Sequence, residues 1–329
     1  MVVPTLAAAP PVPVGSRAGR RYCPAVRFSI WPGGDRPWDE TLELTRHCEA
    51  AGWDGVWLAD HFMPDTGPDG PPADGHMLEC WSGLAALAAA TERMRLGPLV
   101  SSVTYRHPAV LANIAAAVDQ IAHGRLVLGV GAGWQVNEHR AYGIELPPVR
   151  ERLDRFEEAV QVLLGLLREP RATFAGQHYT VTDAPNDPKP VQERLPLLIG
   201  GGGELRTMRI AARHADEWNS WTTPPVMRHK QDVLARHCDD VGRDRAEITV
   251  STQALVYLAT DEGWLAKHRA NDIGRPRIIG TPAEVVDTVA EYRDAGVDEL
   301  ILPDWTMGPL QRRKDTYDLF ITEVAPHFR

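Results

Sequence analysis

From Val26 onward, short apolar runs alternate with longer segments of helical period. Eight runs read as buried strands: Val26–Trp31, Asp54–Ala59, Leu96–Val103, Arg125–Val130, Leu195–Ile199, Asp216–Asn219, Ile248–Leu258 and Asp298–Leu302. The intervening stretches place apolar residues on one helical face. Leu44, Cys48 and Ala51 form such a stripe ahead of Gly52, which can end the helix, and Leu153, Phe156, Val160, Leu163 and Leu167 form another. Strands separated by helices pair in parallel, because each crossover returns the chain to the same end of the sheet.

An internal echo selects among parallel folds. Ala51-Gly52-Trp53-Asp54 through Leu58-Ala59-Asp60 matches Ala295-Gly296-Val297-Asp298 through Leu302-Pro303-Asp304. In both, a helix ends at Gly and a strand delivers an Asp at its C-terminal end. The second copy follows Thr281-Pro282-Ala283-Glu284, a capping box with Pro at the first helical position. Eight such units predict an α/β fold of the closed (β/α)8 TIM-barrel type with insertion loops, over residues 25–329 as one domain. Residues 1–24, rich in Pro and Ala, read as a flexible leader. Pro4, Pro10, Pro11 and Pro13 interrupt any export signal, and the Arg20-Arg21 pair is not followed by an apolar segment. Two insertions are lid candidates: residues 170–195, with a hairpin at Phe174–Tyr179, and the charged stretch Gly263–Arg277.

Composition narrows the function. The net charge of −9 over 329 residues argues against nucleic-acid and anionic-membrane surfaces. No apolar run approaches the roughly 20 residues that a bilayer span requires. The four cysteines contain no C-x-x-C pair and read as reduced thiols of a cytoplasmic enzyme. No His and carboxylate set has metal-ligand spacing, so no metal is expected, and no G-x-S-x-G motif is present.

Barrel chemistry sits at strand C-termini and the loops that follow them. That rule selects Trp31, Asp60-His61, Ser101-Ser102, Gly131–Asn137, Gly200–Gly203, Asn219–Trp221 and Asp304-Trp305. His61 is the reactive candidate, because histidine is the residue type whose free side chain changes charge near neutral pH; a reading in which Asp60 and His61 only tie down their loop stands even with it. Gly129-Val130-Gly131-Ala132-Gly133-Trp134 fails the dinucleotide fingerprint, since Trp134 stands where Gly or Ala is needed. The four glycines at 200–203, ahead of a helix expected near Glu204, suit close approach of a phosphate. Trp31, Trp134, Trp221 and Trp305, four of ten tryptophans, fall at predicted strand ends and together suggest a flat aromatic cavity. His47, His214 and His237 sit on helices and are expected to face solvent.

The blocks Trp57-Leu58-Ala59-Asp60-His61-Phe62, Thr104–Val110, Gly124-Arg125 through Trp134, Asn137–Gly143 and Pro147–Leu153 resemble the luciferase-like flavin and deazaflavin superfamily, most closely its coenzyme F420-dependent oxidoreductase branch. The resemblance spans about residues 26–329. It implies a barrel enzyme that transfers hydride between reduced F420 and a small organic substrate. It assigns the cofactor to Asp60, His61, a non-proline cis peptide at Leu99–Val100, Ser101 or Ser102, Asn137, and Gly201, Gly202 and Gly203 as the phosphate turn. His61 is then the favoured proton donor, Glu138 and His139 are the fallbacks, and His139 joins the four tryptophans as substrate lining. Sugar-phosphate dehydrogenases of this family carry a catalytic Glu directly after the glycine turn, where this chain has Trp134, which argues against sugar-phosphate oxidation. A homodimer is the family-level expectation. The alternatives are an FMN-dependent monooxygenase, whose reduced flavin reacts with O2 where a deazaflavin does so poorly, and a cofactor-binding protein without catalysis. A sugar-phosphate isomerase lacks the paired carboxylate and Lys base it would need.

Overall fold

The computed structural model describes residues 25–329, and the expected leader and Cys23 lie outside them. The parallel sheet contains β1 (Arg27–Trp31), β2 (Gly55–Leu58), β3 (Arg95–Pro98), β4 (Ser101–Ser102) and β5 (Leu128–Gly131). The hairpin strands β6 (Ala172–Ala175) and β7 (Thr180–Ala184) stand apart as an antiparallel pair. The sheet continues with β8 (Leu197–Gly200), β9 (Glu217–Asn219) and β10 (Thr249–Gln253). After β11 (Leu255–Leu258) and β12 (Arg277–Gly280), β13 (Glu299–Pro303) completes it. The order is β3-β2-β1-β13-β10-β9-β8-β5-β4, and β3 and β4 are two halves of one stave interrupted at Leu99-Val100. The Leu96–Leu126 bridge, with Val127 N–H on Leu96 O at 2.8 Å, brings β3 against β5 and closes the ring.

All eight expected staves are present. One differs: Ile248–Leu258 is two strands; the ladder of β10 with β13 ends at the Ala254 amide on Ile301 O (3.2 Å), and β11 leaves the barrel to pair with β12. The charged stretch expected as a loop holds helix α8 (Glu262–Ala270), which follows in order α1 (Trp38–Ala51), α2 (Cys80–Ala90), α3 (Pro108–Ile121), α4 (Val136–Tyr142), α5 (Val149–Arg168), α6 (Thr207–His214) and α7 (Pro224–Val241). Then come α9 (Pro282–Asp294) and α10 (Leu310–Glu323). Helix α1 ends at Gly52 with φ +93°, and α9 opens with the capping box at Thr281 and Glu284. Among the described residues no helix is long and apolar enough to cross a membrane.

The two echoed units flank β1 as β2 and β13, and their aspartates do the same work twice. Asp54 accepts the Phe28 amide at 2.8 Å, and Asp298 accepts the Val250 amide at 2.7 Å. Outward side chains of the strands and the helix stripes form one continuous apolar layer. A second cluster, Trp31, Trp57, Leu99, Val127, Leu198 and Ile301, fills the barrel interior. Beneath it an ionic plug closes the N-terminal end. Glu299 accepts from Ser29 (2.6 Å), Trp57 Nε1 (2.8 Å) and Arg95 (2.8 Å), while Arg95 also bonds Glu217. Burial works to raise the Glu299 carboxyl, yet the arginines and these donors hold it below the usual range; for Glu217 burial prevails and its carboxyl is raised.

Candidate active site at the barrel mouth

Glycines shape one half of the mouth. The Leu99–Val100 peptide is cis, at the bond the resemblance points to. Val100 projects so that a Cβ on Gly200 would stand 2.8 Å from its Cγ1, and a Cβ on Gly131 would stand 2.8 Å from its Cγ2. A Cβ on Gly129 would meet the Pro98 carbonyl oxygen at 2.1 Å. The Gly129-x-Gly131 spacing and the first glycine of the run therefore serve steric fit around the bulge, which accounts for the failed dinucleotide fingerprint.

In the loop after the neighbouring β2 stands His61. Its Nδ1 lies 2.7 Å from Glu138 Oε1, and a carboxylate only accepts, so Nδ1 carries the proton. Nε2 has no protein partner among the described residues. Glu138 is fully buried, and it also receives the Phe62 amide (2.8 Å) and the Tyr105 hydroxyl. Burial works to raise its carboxyl, but these hydrogen bonds and the His61 charge outweigh it and hold it below the usual range. Burial and the same bond push the Tyr105 hydroxyl far up. Glu138 is therefore an anion that fixes the imidazole, and the expectation of a fallback proton donor there is corrected: an acid held low does not release a proton it no longer carries.

His139 is likewise corrected. It is 1% exposed, its Nδ1 donates to Gln135 O (2.6 Å), and its Nε2 accepts from Thr104 Oγ1 (2.7 Å), so it lines no cavity and is already committed at both nitrogens. Burial depresses its pKa, keeping it neutral. This fixes a directed chain: the Gln135 carbonyl sets the His139 tautomer, Thr104 donates to His139, and Ser102 donates to Thr104 (2.6 Å). Ser102, inward on β4 opposite Gly131, also accepts the Thr104 amide (3.4 Å) and is left presenting its second lone pair. Ser101 points the other way and accepts from Trp81 Nε1 at 2.8 Å, so of the two serines only Ser102 faces the mouth.

One further expectation changes. Both Asp60 oxygens are held by Arg106 (2.6 and 3.1 Å), which also reaches Glu79 (2.8 Å), so the buried Asp60 side chain anchors the turn carrying His61. Asn137 is buried; its Nδ2 donates to Pro64 O (3.0 Å) and Thr66 Oγ1 (2.9 Å), stapling the loop after β2, while its Oδ1 has no partner among the described residues. The glycine run is open: Gly201 has φ +126° and its carbonyl takes Trp218 Nε1 (2.9 Å). Among the described residues the amides of Gly202 and Gly203 donate to no protein group, and Lys230 Nζ sits on Gly202 O at 2.7 Å. Helix α6 starts at Thr207, after a turn over 204–206, so the glycines approach a ligand as loop amides rather than as the helix end expected near Glu204.

The aromatic expectation resolves into a cluster and an outlier. Trp31, Trp221 and Trp305 meet with ring centroids 4.9–6.0 Å apart, and the Arg275 guanidinium lies 5.1 Å over Trp221. Trp134, half-exposed, instead meets His61 edge to face at 5.5 Å. Sequence reasoning missed Gln253 and Ser251 because their strand read as uninterrupted. The inward register of β10 against β13 was the signal available. Gln253 Nε2 donates to Asn219 Oδ1 and Asn219 Nδ2 to Ser251 Oγ, both at 2.8 Å. His47, His214 and His237 are half-buried rather than solvent-facing; His47 meets Asp318 at 2.7 Å and His237 meets Glu204 O at 2.7 Å. Cys48, Cys80 and Cys238 are buried and unpaired.

A barrel with this mouth belongs to a recognisable class. A family model described as luciferase-like monooxygenase matches residues 22–271, and the chain belongs to that family. Among curated relatives, the F420-dependent glucose-6-phosphate dehydrogenase of Microbacterium testaceum is 37% identical over 88% of this chain and 94% of its own length. That of Kineococcus radiotolerans is 38% identical over 86% and 90%. The coenzyme F420-dependent tetrahydromethanopterin reductase of Methanopyrus kandleri has the same fold, with a TM-score of 0.78 at 20% identity, covering 93% of this chain and all of that one.

Proposed function

We propose that this chain is an F420-dependent oxidoreductase that transfers hydride between the deazaflavin and a small organic substrate. Family membership and the naming of its relatives support the cofactor. The observation that carries the reading is His61 in the loop after β2, its Nδ1 held by the buried Glu138 and its Nε2 without a protein partner among the described residues, next to the stave that carries the glycine-packed Leu99-Val100 bulge.

The residues present fit the group. The Leu99-Val100 bulge and the Ser102 side chain would hold the ring system beside His61, and the Gly202 and Gly203 amides would hold a phosphate of its tail. When bound, the deazaflavin supplies the hydride. The chain supplies the rest. Glu138 keeps Nδ1 of His61 protonated, so Nε2 is the atom that holds or releases a proton toward the mouth. Asp60 and Arg106 fix the turn that carries it, and the tryptophans exclude water. The glucose 6-phosphate of the relatives' names is not carried over, because Trp134 occupies the place where the resemblance expects an acidic residue. A cytoplasmic homodimer belongs to the same family-level reading, and sedimentation tests the assembly.

Titrating apoprotein with F420 and with FMN tests the cofactor; the expected result is tighter binding of F420 and turnover without O2. Tighter FMN binding with O2-dependent turnover would overturn it in favour of a monooxygenase. His61→Ala is expected to cut turnover about 100-fold or more while leaving the F420 Kd nearly unchanged; loss of binding alone contradicts the role.

A further inference from the structure

The ring of staves divides into two halves. Every group suited to the cofactor lies on β2, the β3–β4 stave, β5 and β8 or the loops after them, which are contiguous. The opposite half, β1, β13, β10 and β9, has its own chemistry, which the cofactor reading does not use.

Among the described residues, several buried polar atoms in that half lack a partner: Glu217 Oε2 in the basal plug, Arg36 Nε, Thr306 Oγ1 and Arg313 Nε in the segments after β1 and β13, and, on the strands themselves nearer the mouth, Trp31 Nε1 (side chain 5% exposed) and Gln253 Oε1 (side chain 3% exposed). Such atoms are costly to leave unsatisfied, so the last two mark a place where a ligand completes the bonding. Gln253 belongs to the relay through Asn219 to Ser251. The same three groups also connect with both amides turned and the Ser251 hydroxyl donating, and Gln253 then shows an N–H instead of an oxygen. A hydroxyl, being donor and acceptor together, satisfies either form.

The surroundings restrict the rest of the molecule. Trp31, Trp221 and Trp305 offer indole faces and edges at stacking distance. Among the described cationic groups on this side, Arg313 is engaged by Asp304 and Glu40, Arg36 by Asp35 and Lys230 by Glu204. Arg275 is exposed and laid over Trp221. One stacked guanidinium is not the set of charge-assisted donors that a phosphate dianion requires.

We propose that the β1–β13–β10–β9 half of the mouth binds a planar, uncharged, hydroxyl-bearing substrate, oriented by Gln253 and Trp31 and stacked among the three tryptophans. This rests on the oxidoreductase reading and names its substrate class.

Calorimetric titration of the protein loaded with oxidised F420 tests it, using acetophenone, its 2-, 3- and 4-hydroxy derivatives and glucose 6-phosphate as probes. At least one hydroxylated isomer should bind about 10-fold tighter than acetophenone, and glucose 6-phosphate should bind more weakly than that isomer. Gln253→Met should bring the preferred isomer to within about 2-fold of acetophenone while the F420 Kd holds. If Gln253→Met does not fold, Trp31→Phe, which keeps the ring and removes the N–H, is expected to lower ketone affinity with the same unchanged F420 Kd. The inference is overturned if no hydroxylated isomer exceeds acetophenone, if glucose 6-phosphate binds more tightly, or if the variants weaken F420 binding and leave the ketones unaffected. Failure of the wild-type chain to bind F420 overturns the oxidoreductase reading separately, and the same ketone titrations on cofactor-free protein then decide the substrate class.

Discussion

Replacing Glu138 with Gln keeps the side-chain volume and changes its hydrogen-bond logic. The carboxylate receives three donors: His61 Nδ1–H, the Phe62 amide and the Tyr105 hydroxyl. An amide has one accepting and one donating end. With its oxygen toward His61 and Tyr105, its nitrogen faces the Phe62 N–H, donor against donor. With its oxygen toward Phe62, His61 must move its proton to Nε2 and Tyr105 loses its acceptor. One buried donor left unpaired costs about 1–3 kcal/mol, and loss of the charge from the other two bonds costs about 1 kcal/mol each. The total of about 3–5 kcal/mol corresponds to a fall in Tm of roughly 5–10 °C at this chain length. Turnover should drop about 100-fold or more, because the altered tautomer removes the proton-handling atom. The F420 Kd should stay within about 2-fold, since Glu138 is wholly buried.

The pH dependence has a definite sign. The folded Glu138 carboxyl is held below its unfolded value. Its contribution to stability is therefore fully present above the unfolded pKa of about 4.3 and is lost as pH falls through the lower folded value. Urea denaturation of wild type and Glu138→Gln should show the full gap at pH 7 and a narrowing gap below that range. An undiminished gap at pH 3, or a variant with wild-type turnover, refutes the assignment of Glu138 as the anion that orients His61.

Gly200→Ala places a methyl 2.8–2.9 Å from both Val100 methyl carbons and should cost about 1–3 kcal/mol, largely recovered by adding Val100→Ala. Gly129→Ala meets the Pro98 carbonyl oxygen at 2.1 Å and Val100 Cγ1 only at 3.1 Å, so trimming Val100 should recover little; thermal melts of the four variants check both. Arg106→Met leaves Asp60 buried and unpaired and should cost about 3–5 kcal/mol by urea denaturation, with Asp60→Asn in that background restoring part of it. In the basal plug, Glu299→Gln should cost about 3 kcal/mol, because it disturbs an anion receiving donors from Ser29, Trp57 and Arg95. Glu217→Gln should cost less than about 1.5 kcal/mol, since burial already drives that carboxyl toward neutrality and its Oε2 has no partner; equal losses in denaturation would contradict the split.

The staves and stripes were legible because each is a local pattern. Buried strands are short apolar runs, helix ends carry Gly or a capping box, and the Asp54 and Asp298 copies repeat a unit whose form depends on near neighbours in the chain. His61, Ser102 and the glycine run were found by the rule that places barrel chemistry at strand C-termini, and the cis peptide bond by resemblance. The roles of Asp60, Asn137, Glu138 and His139 were not readable, because each depends on a partner far along the chain: Arg106, Pro64, His61 and Thr104. Nor was the break at Ala254, beyond which the chain pairs with β12, a strand on the far side of α8, instead of β13.

Periodicity and turn chemistry are properties of neighbouring residues, so the amino-acid order by itself determined the barrel and the order of its strands and helices. Which side chains at its mouth are charged, which nitrogen of His61 is free, and which buried atoms lack a partner are set by groups tens to hundreds of residues away. Only closing the ring brings them within hydrogen-bond distance, where burial and pairing decide protonation.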